Sequence, residues 1–200
     1  MNSQFWDNRY TPADFVYGTA PNDFLRQCAN YIPAGPVLCL GEGEGRNAVF
    51  LASRGYKVTA VDQSAVGLAK AERLAAQCGV TLNTEVVDLR DYIIEPESWS
   101  AIVSIFVHLP PPLRRDVHSA SAIGLHSGGV LILEAYTPAQ VRHKSGGPVD
   151  APELLMTLEQ LRGELIGLEL EIGRELERDL TEGPAHSGRA AVVQVLARRG

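Results

Sequence analysis

Three features that often announce a function are scarce or missing in this 200-residue chain: cysteine, clustered positive charge and long apolar runs. Cysteine occurs only at positions 28, 39 and 78, an odd count with no Cys-x-x-Cys pair. Neither a disulfide framework nor a zinc site is indicated, so the expected reading has no metal. Asp and Glu outnumber Lys and Arg by 24 to 18, the formal charge is -6, and the basic residues are scattered. A nucleic-acid partner would require a Lys/Arg surface to meet its phosphates, so none is expected. No run approaches the ~18 apolar residues of a membrane span, and Met1 to Asp7 lacks a basic region followed by an apolar stretch. The sequence reading is therefore a soluble, cytoplasmic monomer or homodimer that makes no use of a membrane. Repeats, linkers and low-complexity segments are absent as well. The expectation is one domain over 1–200, with 1–35 an N-terminal lid and first helix and 36–200 the core, a size that suits a single three-layer interior.

What is present is concentrated between residues 37 and 64. A short apolar run, Val37 to Leu40, meets glycines at alternate positions, Gly41, Gly43 and Gly45. A helical pattern follows from Arg46 to about Ser53 and is stopped by Gly55. A second apolar run, Val58 to Val61, ends in Asp62. Strand, glycine turn, helix, strand and acid are the order of a nucleotide-binding βαβ unit, in which the acid accepts hydrogen bonds from ribose hydroxyls. The glycine spacing narrows the ligand. Dinucleotide sites favour G-x-G-x-x-G with a helix N-terminus aimed at pyrophosphate. Here Glu42 and Glu44 sit between the glycines, where they would repel a pyrophosphate but suit the ammonium and sulfonium of S-adenosyl-L-methionine (SAM). The competing reading is an ordinary glycine-rich turn between strand and helix.

The rest of the chain supports an α/β layout. The pattern predicts a first helix over Pro21 to Ile32. A helix capped by Ser64 runs to about Cys78 and stops at Gly79. A third strand covers Thr81 to Val87 and a fourth Ala101 to Phe106, the latter apolar throughout, as a strand buried on both faces should be. A helix opens at Pro110 to Pro112, where proline is tolerated, and fades toward Gly129. A fifth strand spans Val130 to Ala135. Asp150 and Glu153 read as a capping box for a helix from about Ala151 to Leu165. Alternating segments at 166–178 and 189–198 read as a closing antiparallel hairpin. The expected architecture is a doubly wound, mostly parallel seven-stranded sheet with the last strand antiparallel.

Nearly the whole chain resembles the class I SAM-dependent methyltransferases of Rossmann-like fold, and among them the small bacterial enzymes of the tellurite-resistance and thiopurine type. The residues that carry the resemblance are Phe5 to Tyr10, Tyr17 to Asn22, Gly41 to Asn47, Asp62-Gln63-Ser64 and Asp88-Leu89. The resemblance implies a cofactor set of Trp6, Tyr10, Gly41, Glu42, Gly43, Gly45, Arg46, Asn47, Asp62, Gln63, Asp88, Leu89 and Ile105. Asp88 would meet the adenine amino group, unless it merely begins an Asx turn with Arg90. The family usually places Asp at position 39 and Cys at position 42; this chain has Cys39 and Glu42, which points to Glu42 as the partner of the methionyl ammonium. Trp6 and Tyr10 resemble an aromatic lid, suited to a sulfonium through the ring quadrupole; a stripe that docks the segment on the core is the other reading.

The catalytic candidates are His108, Tyr17 and His186. His108 follows the fourth strand, where ligands sit in open α/β sheets, and an imidazole there can take a proton or orient a nucleophile. It can also be a histidine bonded only to loop backbone. Tyr17 precedes a glycine that suggests a turn near the ligand. His186 lies in a Glu182-Gly183-x-x-His186-x-Gly188 segment like that of the relatives. Gln140, Arg142 and His143 fall in a Gly/Pro-rich loop that reads as a substrate lid or a long connection. The expected activity is methyl transfer from SAM to a small-molecule acceptor, with a thiol or a chalcogen oxyanion as the implied class. No Asn-Pro-Pro-Tyr element follows the fourth strand, which argues against nucleobase or amide nitrogen. The alternative from another class is a SAM-binding sensor or partner protein without turnover. A short-chain oxidoreductase would need Tyr-x-x-x-Lys, and Tyr136 is followed by Gln140.

Overall fold

A computed structural model describes residues 2–143 and 145–200. Its centre is a seven-stranded sheet in the order β3-β2-β1-β4-β5-β7-β6. The strands are β1 (Pro36–Leu40), β2 (Lys57–Asp62), β3 (Asn83–Val86), β4 (Trp99–Ile105), β5 (Leu125–Tyr136), β6 (Leu168–Thr181) and β7 (Ser187–Arg199). Pairings from β3 to β5 are parallel, and β7 runs antiparallel to both β5 and β6. The helices are α1 (Ser3–Tyr10), α2 (Asp23–Cys28), α3 (Arg46–Ser53), α4 (Ala65–Gln77), α5 (Pro111–Gly124) and α6 (Leu158–Glu164). This is the doubly wound, Rossmann-like arrangement that the sequence pattern implies.

Alternation along the strands explains why helices cover both faces. Leu38 and Leu40 of β1 pack with Ile102, Leu131 and Leu133 beneath Val117 of α5 and Leu161 of α6. Val37 and Cys39 point the other way, into a core with Phe24 and Leu25 of α2 and Leu51 of α3. Truncating a fully buried leucine such as Leu38 to alanine typically costs about 2–5 kcal/mol. Helix starts are read by side-chain oxygens: Asn22 accepts from the Leu25 amide at 2.9 Å and Ser64 from the Gly67 amide at 3.0 Å. Because β1 is flanked by β2 on one side and β4 on the other, the chain diverges at the carboxyl ends of β1 and β4. A crevice opens there.

Several boundaries differ from the sequence pattern. The first core helix is only α2, continued by a tighter turn over Ala29–Tyr31, since Asn22 rather than Pro21 caps it. The third strand shortens to four mostly exposed residues at the sheet edge. Asp150 and Glu153 form no capping box. The box belongs to Thr157 and Gln160, which open α6, and Leu155 and Met156 are buried in an extended stretch where the Met156 amide donates to Tyr136 O. Burial of those two side chains beside the sheet overrides the helical pattern. Ser3–Tyr10, with Asn2 as its cap, is a helix that the pattern did not predict. Among the described residues, no helix is long and apolar enough to cross a membrane.

Candidate active site

The glycine turn is built by close approach. Gly41, Gly43 and Gly45 all take positive φ, at 56°, 62° and 91°. A Cβ on Gly45 would lie 2.5 Å from the Ala71 Cβ of α4, and one on Gly43 would lie 2.5 Å from the Tyr10 hydroxyl. Gly45 therefore admits helix α4 and Gly43 the lid residue Tyr10. Gly45 has no side chain to cap α3, and Glu42 takes over: its Oε1 accepts from the Asn47 and Ala48 amides, each at 2.9 Å. The buried Cys39 thiol lies close to the Glu42 carboxyl. Burial dominates its ionisation and pushes the Glu42 carboxyl up to about 7, against the pull of the Ala48 amide.

Asp62 stands at the end of β2 with both oxygens oriented. Oδ2 accepts from the Gly43 amide at 2.9 Å and Oδ1 from the Ser64 amide at 2.8 Å. Burial pushes its carboxyl up to about 6 although these amides favour the charged form. Glu44 behaves differently from its neighbour in the turn. It is buried against Lys70 Nζ at 2.5 Å and accepts from the Val16 and Tyr17 amides, so it serves the N-terminal segment. Lys70 Nζ donates further to Tyr10 O, Pro12 O and Asp14 O. Glu44 lines the cleft together with Glu42, but its carboxylate is already held by Lys70 and two backbone amides. Arg46 and Asn47 line the cleft: Arg46 Nη1 lies 2.7 Å from Glu182 Oε2 as an ion pair without hydrogen-bond geometry, and Asn47 Oδ1 accepts from the Asn22 amide. Asp88 forms the Asx turn, accepting from the Arg90 amide at 2.9 Å, and hydrogen bonds from Arg90 hold its carboxyl below the usual range. It still borders the cleft, with Gln63, Leu89 and Ile105.

Aromatic rings close the opposite side. Trp6 stacks on Tyr10 at 5.7 Å, and Asp7 seats α1 on α4 by accepting from Ser64 Oγ at 2.6 Å. Tyr17 packs on His186 at 4.5 Å, with the Arg9 guanidinium 5.8 Å above the tyrosine ring. Phe106, just past β4, is held at φ 56°, a conformation costly for a residue with a Cβ. Its ring lies 4.7 Å from Tyr136 and 4.6 Å from His186. His108 stacks on Tyr136 at 5.6 Å, and its Nδ1 lies 3.0 Å from Leu154 O. A carbonyl only accepts, so Nδ1 carries the hydrogen and the buried Nε2 presents a lone pair with no protein partner. Burial lowers the His108 pKa to about 4. His186 Nδ1 is likewise buried without a partner, and burial lowers that imidazole to about 3.

These groups share one cleft of about 960 Å³. It brings together every catalytic and cofactor-binding candidate from the sequence except Gly43 and Gly45. It adds Phe5, Arg9, Phe106, Tyr136 and a wall formed by 147–151 and 153–154. Phe106 and Tyr136 were within reach of sequence reasoning, since each ends or follows a central strand. The 147–154 wall carries no comparable signal. Gln140 is not at the cleft: it is buried and bonds Ser145 Oγ, Gly146 O and the Ala191 amide. Arg142 and His143 border a separate shallow groove, so the predicted lid function of that trio is not supported by its placement.

Comparison with known proteins places this geometry in a class. Residues 37–129 match the family model described as a methyltransferase domain. No curated protein matches the chain. Among solved structures, one from work on conversion of a disulfide bond into a thioacetal group during echinomycin biosynthesis superposes with a TM-score of 0.80. It is 18% identical, over 98% of this chain and 91% of that one. TehB from Haemophilus influenzae gives 0.72 at 19% identity, over 99% of this chain and 67% of TehB. A SAM-dependent methyltransferase from Methanosarcina mazei gives 0.63 at 18% identity, over 86% and 96%. The matched segment holds the glycine turn, Asp62 and Asp88, and the sheet around it is the SAM-dependent methyltransferase fold. Through residues 37–129 the chain is thus similar to methyltransferase domains, and its whole sheet has the Rossmann-like fold of solved SAM-dependent methyltransferases.

Proposed function

We propose that the protein methylates a small molecule whose nucleophile, a thiol or another chalcogen, is aligned and where necessary deprotonated in the cleft. The observation that carries this reading is the unpartnered Nε2 of His108, buried in the same cleft as Asp62 and the glycine turn. SAM, when bound, supplies a methyl group already activated as a sulfonium, so the protein contributes alignment, desolvation and proton handling. Asp62 fits the ribose hydroxyls: each of its oxygens accepts one amide and retains capacity for one more donor. Glu42 fits the methionyl ammonium, since its Oε2 is not used by the α3 amides. Gly41, Arg46 and Asn47 shape that end. Gln63, Asp88, Leu89 and Ile105 border the nucleoside end. Trp6 and Tyr10 offer ring faces to the sulfonium, while Tyr17, His108 and His186 belong to the acceptor side. Residues 1–35 act as lid and first helix of one catalytic domain that extends through residue 200.

Calorimetric titration tests the reading, with SAM binding and no NAD binding expected. Mass spectrometry on SAM with a panel of thiols and chalcogen oxyanions then tests turnover. Binding of NAD without SAM overturns the assignment. SAM binding with no methyl transfer to any member of the panel would favour a sensor instead.

A further inference from the structure

The helix that covers the cleft is pinned at one end and caught at the other. Phe5, Trp6, Arg9 and Tyr10 of α1 all border the cleft. At the C-terminal end of α1 the chain is fixed: Tyr10 is buried, and Lys70 Nζ gathers Tyr10 O, Pro12 O and Asp14 O at 2.8 to 3.1 Å. Gly67 leaves room for the Tyr10 ring, since a Cβ there would lie 2.9 Å from it. Ser3 to Arg9, by contrast, contribute no buried side chain. Before Tyr10, and among the described residues, the hydrogen bonds from α1 to the first turn of α4 come from Asp7 alone. Its Oδ1 accepts from Ser64 Oγ at 2.6 Å and from the Val66 amide at 3.3 Å. Swinging α1 about its pinned end breaks those two bonds and lifts Trp6 off Tyr10, while the core beneath keeps its packing.

Ser64 ties this catch to the cofactor end. Its amide donates to Asp62 Oδ1 at 2.8 Å, and its hydroxyl accepts from the Gly67 amide at 3.0 Å while donating to Asp7. A hydroxyl that accepts from one N–H donates more strongly to its own acceptor. One buried serine therefore orients two carboxylates. Those carboxylates repel each other: burial comes first in pushing the Asp62 carboxyl up to about 6, and the charge of Asp7 adds to it. Ribose hydroxyls donating to Asp62 would draw its negative charge onto themselves and relieve that repulsion.

We propose, resting on the SAM-dependent methyltransferase reading above, that Asp7 is a positioning residue: it clasps α1 over the bound cofactor, and the ribose tightens the clasp through Asp62 and Ser64. With Asp62 unoccupied, α1 opens about the Lys70 pin and admits the cofactor. With the ribose seated, Asp7 holds Trp6 against the cleft and sets how fast the demethylated product, S-adenosylhomocysteine, leaves. Opening of such a lid often limits turnover, so the clasp governs a rate as well as an affinity.

The test uses the whole protein carrying Trp99→Phe, which leaves Trp6 as the one tryptophan. Stopped-flow fluorescence over a series of S-adenosylhomocysteine concentrations gives both rate constants. Asp7→Ala should raise the dissociation rate at least about ten-fold and change the association rate less than about three-fold, as loss of a charge-assisted hydrogen bond predicts. Asp7→Asn, which keeps an acceptor oxygen, should fall between that variant and the parent. Asn8→Ala, whose side chain bonds only Gln4 of the same helix, should match the parent. Hydrogen exchange over residues 3–10 reads the ribose link, with adenosine expected to slow it and methionine not. An unchanged dissociation rate in Asp7→Ala, even with a lowered melting temperature, overturns the proposal. So does an equal rise in Asn8→Ala, or protection by adenosine no greater than by methionine. Absence of S-adenosylhomocysteine binding to the parent overturns the methyltransferase reading itself, a separate outcome read in the first titration.

Discussion

At the scale of single residues, the two carboxylates of the cofactor end are alike in one respect: burial raises both. Asp62 titrates near 6 and Glu42 near 7, so each is partly protonated just below neutrality. A ribose hydroxyl or an ammonium is held best by the ionised form, and SAM binding should release protons. We expect SAM affinity to fall as pH is lowered from about 8 to 5.5, with the titration heat depending on the buffer's ionisation enthalpy. Affinity that is flat over that range would remove both groups from the binding site. Asp62→Ala should weaken SAM by about 1–3 kcal/mol, since a charged acceptor is lost. His108 differs, because its pKa near 4 leaves it neutral throughout that range. His108→Ala should leave SAM affinity within a few-fold and lower turnover by about ten- to a thousand-fold for an acceptor that must lose a proton. A large loss of SAM affinity in that variant would move His108 to the cofactor pocket.

At the scale of elements, the N-terminal segment is the part that sequence reading grasped least. Trp6 and Tyr10 were legible as an aromatic pair, but not the latch beneath them. Lys70 lies 60 positions from Tyr10, and nothing local to either residue signals that its ammonium gathers three backbone carbonyls and Glu44. The same holds for Glu44, which looks like a ligand group from its place in the turn and is a structural anchor in three dimensions. The βαβ unit was legible because its signals are local: apolar runs, alternating glycines and an acid at a strand end. The helical pattern over 151–165 misleads, because Leu155 and Met156 obey tertiary burial rather than helical period. Gly43 joins the two elements, turn and lid. Any Cβ there meets the Tyr10 hydroxyl, so Gly43→Val should push Tyr10 and α1 off the turn, on top of the strain of valine at φ 62°. The expected outcome is lost SAM binding with an intact circular dichroism spectrum; retained affinity would mean that the lid does not contribute to the cofactor site.

For the whole molecule, the buried site groups set the pH dependence of folding, and they oppose each other. His108 and His186 have folded pKa values near 4 and 3, below the ordinary 6.5. Between about pH 6.5 and 4 the unfolded chain binds protons there that the folded chain does not, so these two make stability fall as pH falls. Asp62 and Glu42 are raised above their ordinary values of 3.8 and 4.5. Over roughly pH 4.5 to 6.5 the folded chain holds the extra protons at these sites, so this pair makes stability rise as pH falls. With two groups on each side, the ligand-free protein should show a nearly flat melting temperature from about pH 6.5 to 5. Below about pH 4 the unfolded carboxylates are protonated as well and cease to oppose the histidines. Glu164 adds to the loss there: its pairing with Arg114 and His118 outweighs burial and lowers it to about 2. Asp62→Asn removes one proton-retaining group and keeps the side chain's size. Its stability should then decline by up to about 1.4 kcal/mol per pH unit between pH 6.5 and 5, the slope of one uncompensated proton. Chemical denaturation of both proteins at half-unit steps from pH 4 to 8 measures the difference. Parallel curves for the two would show that Asp62 has the same proton affinity folded and unfolded, and with it that burial does not raise this carboxyl.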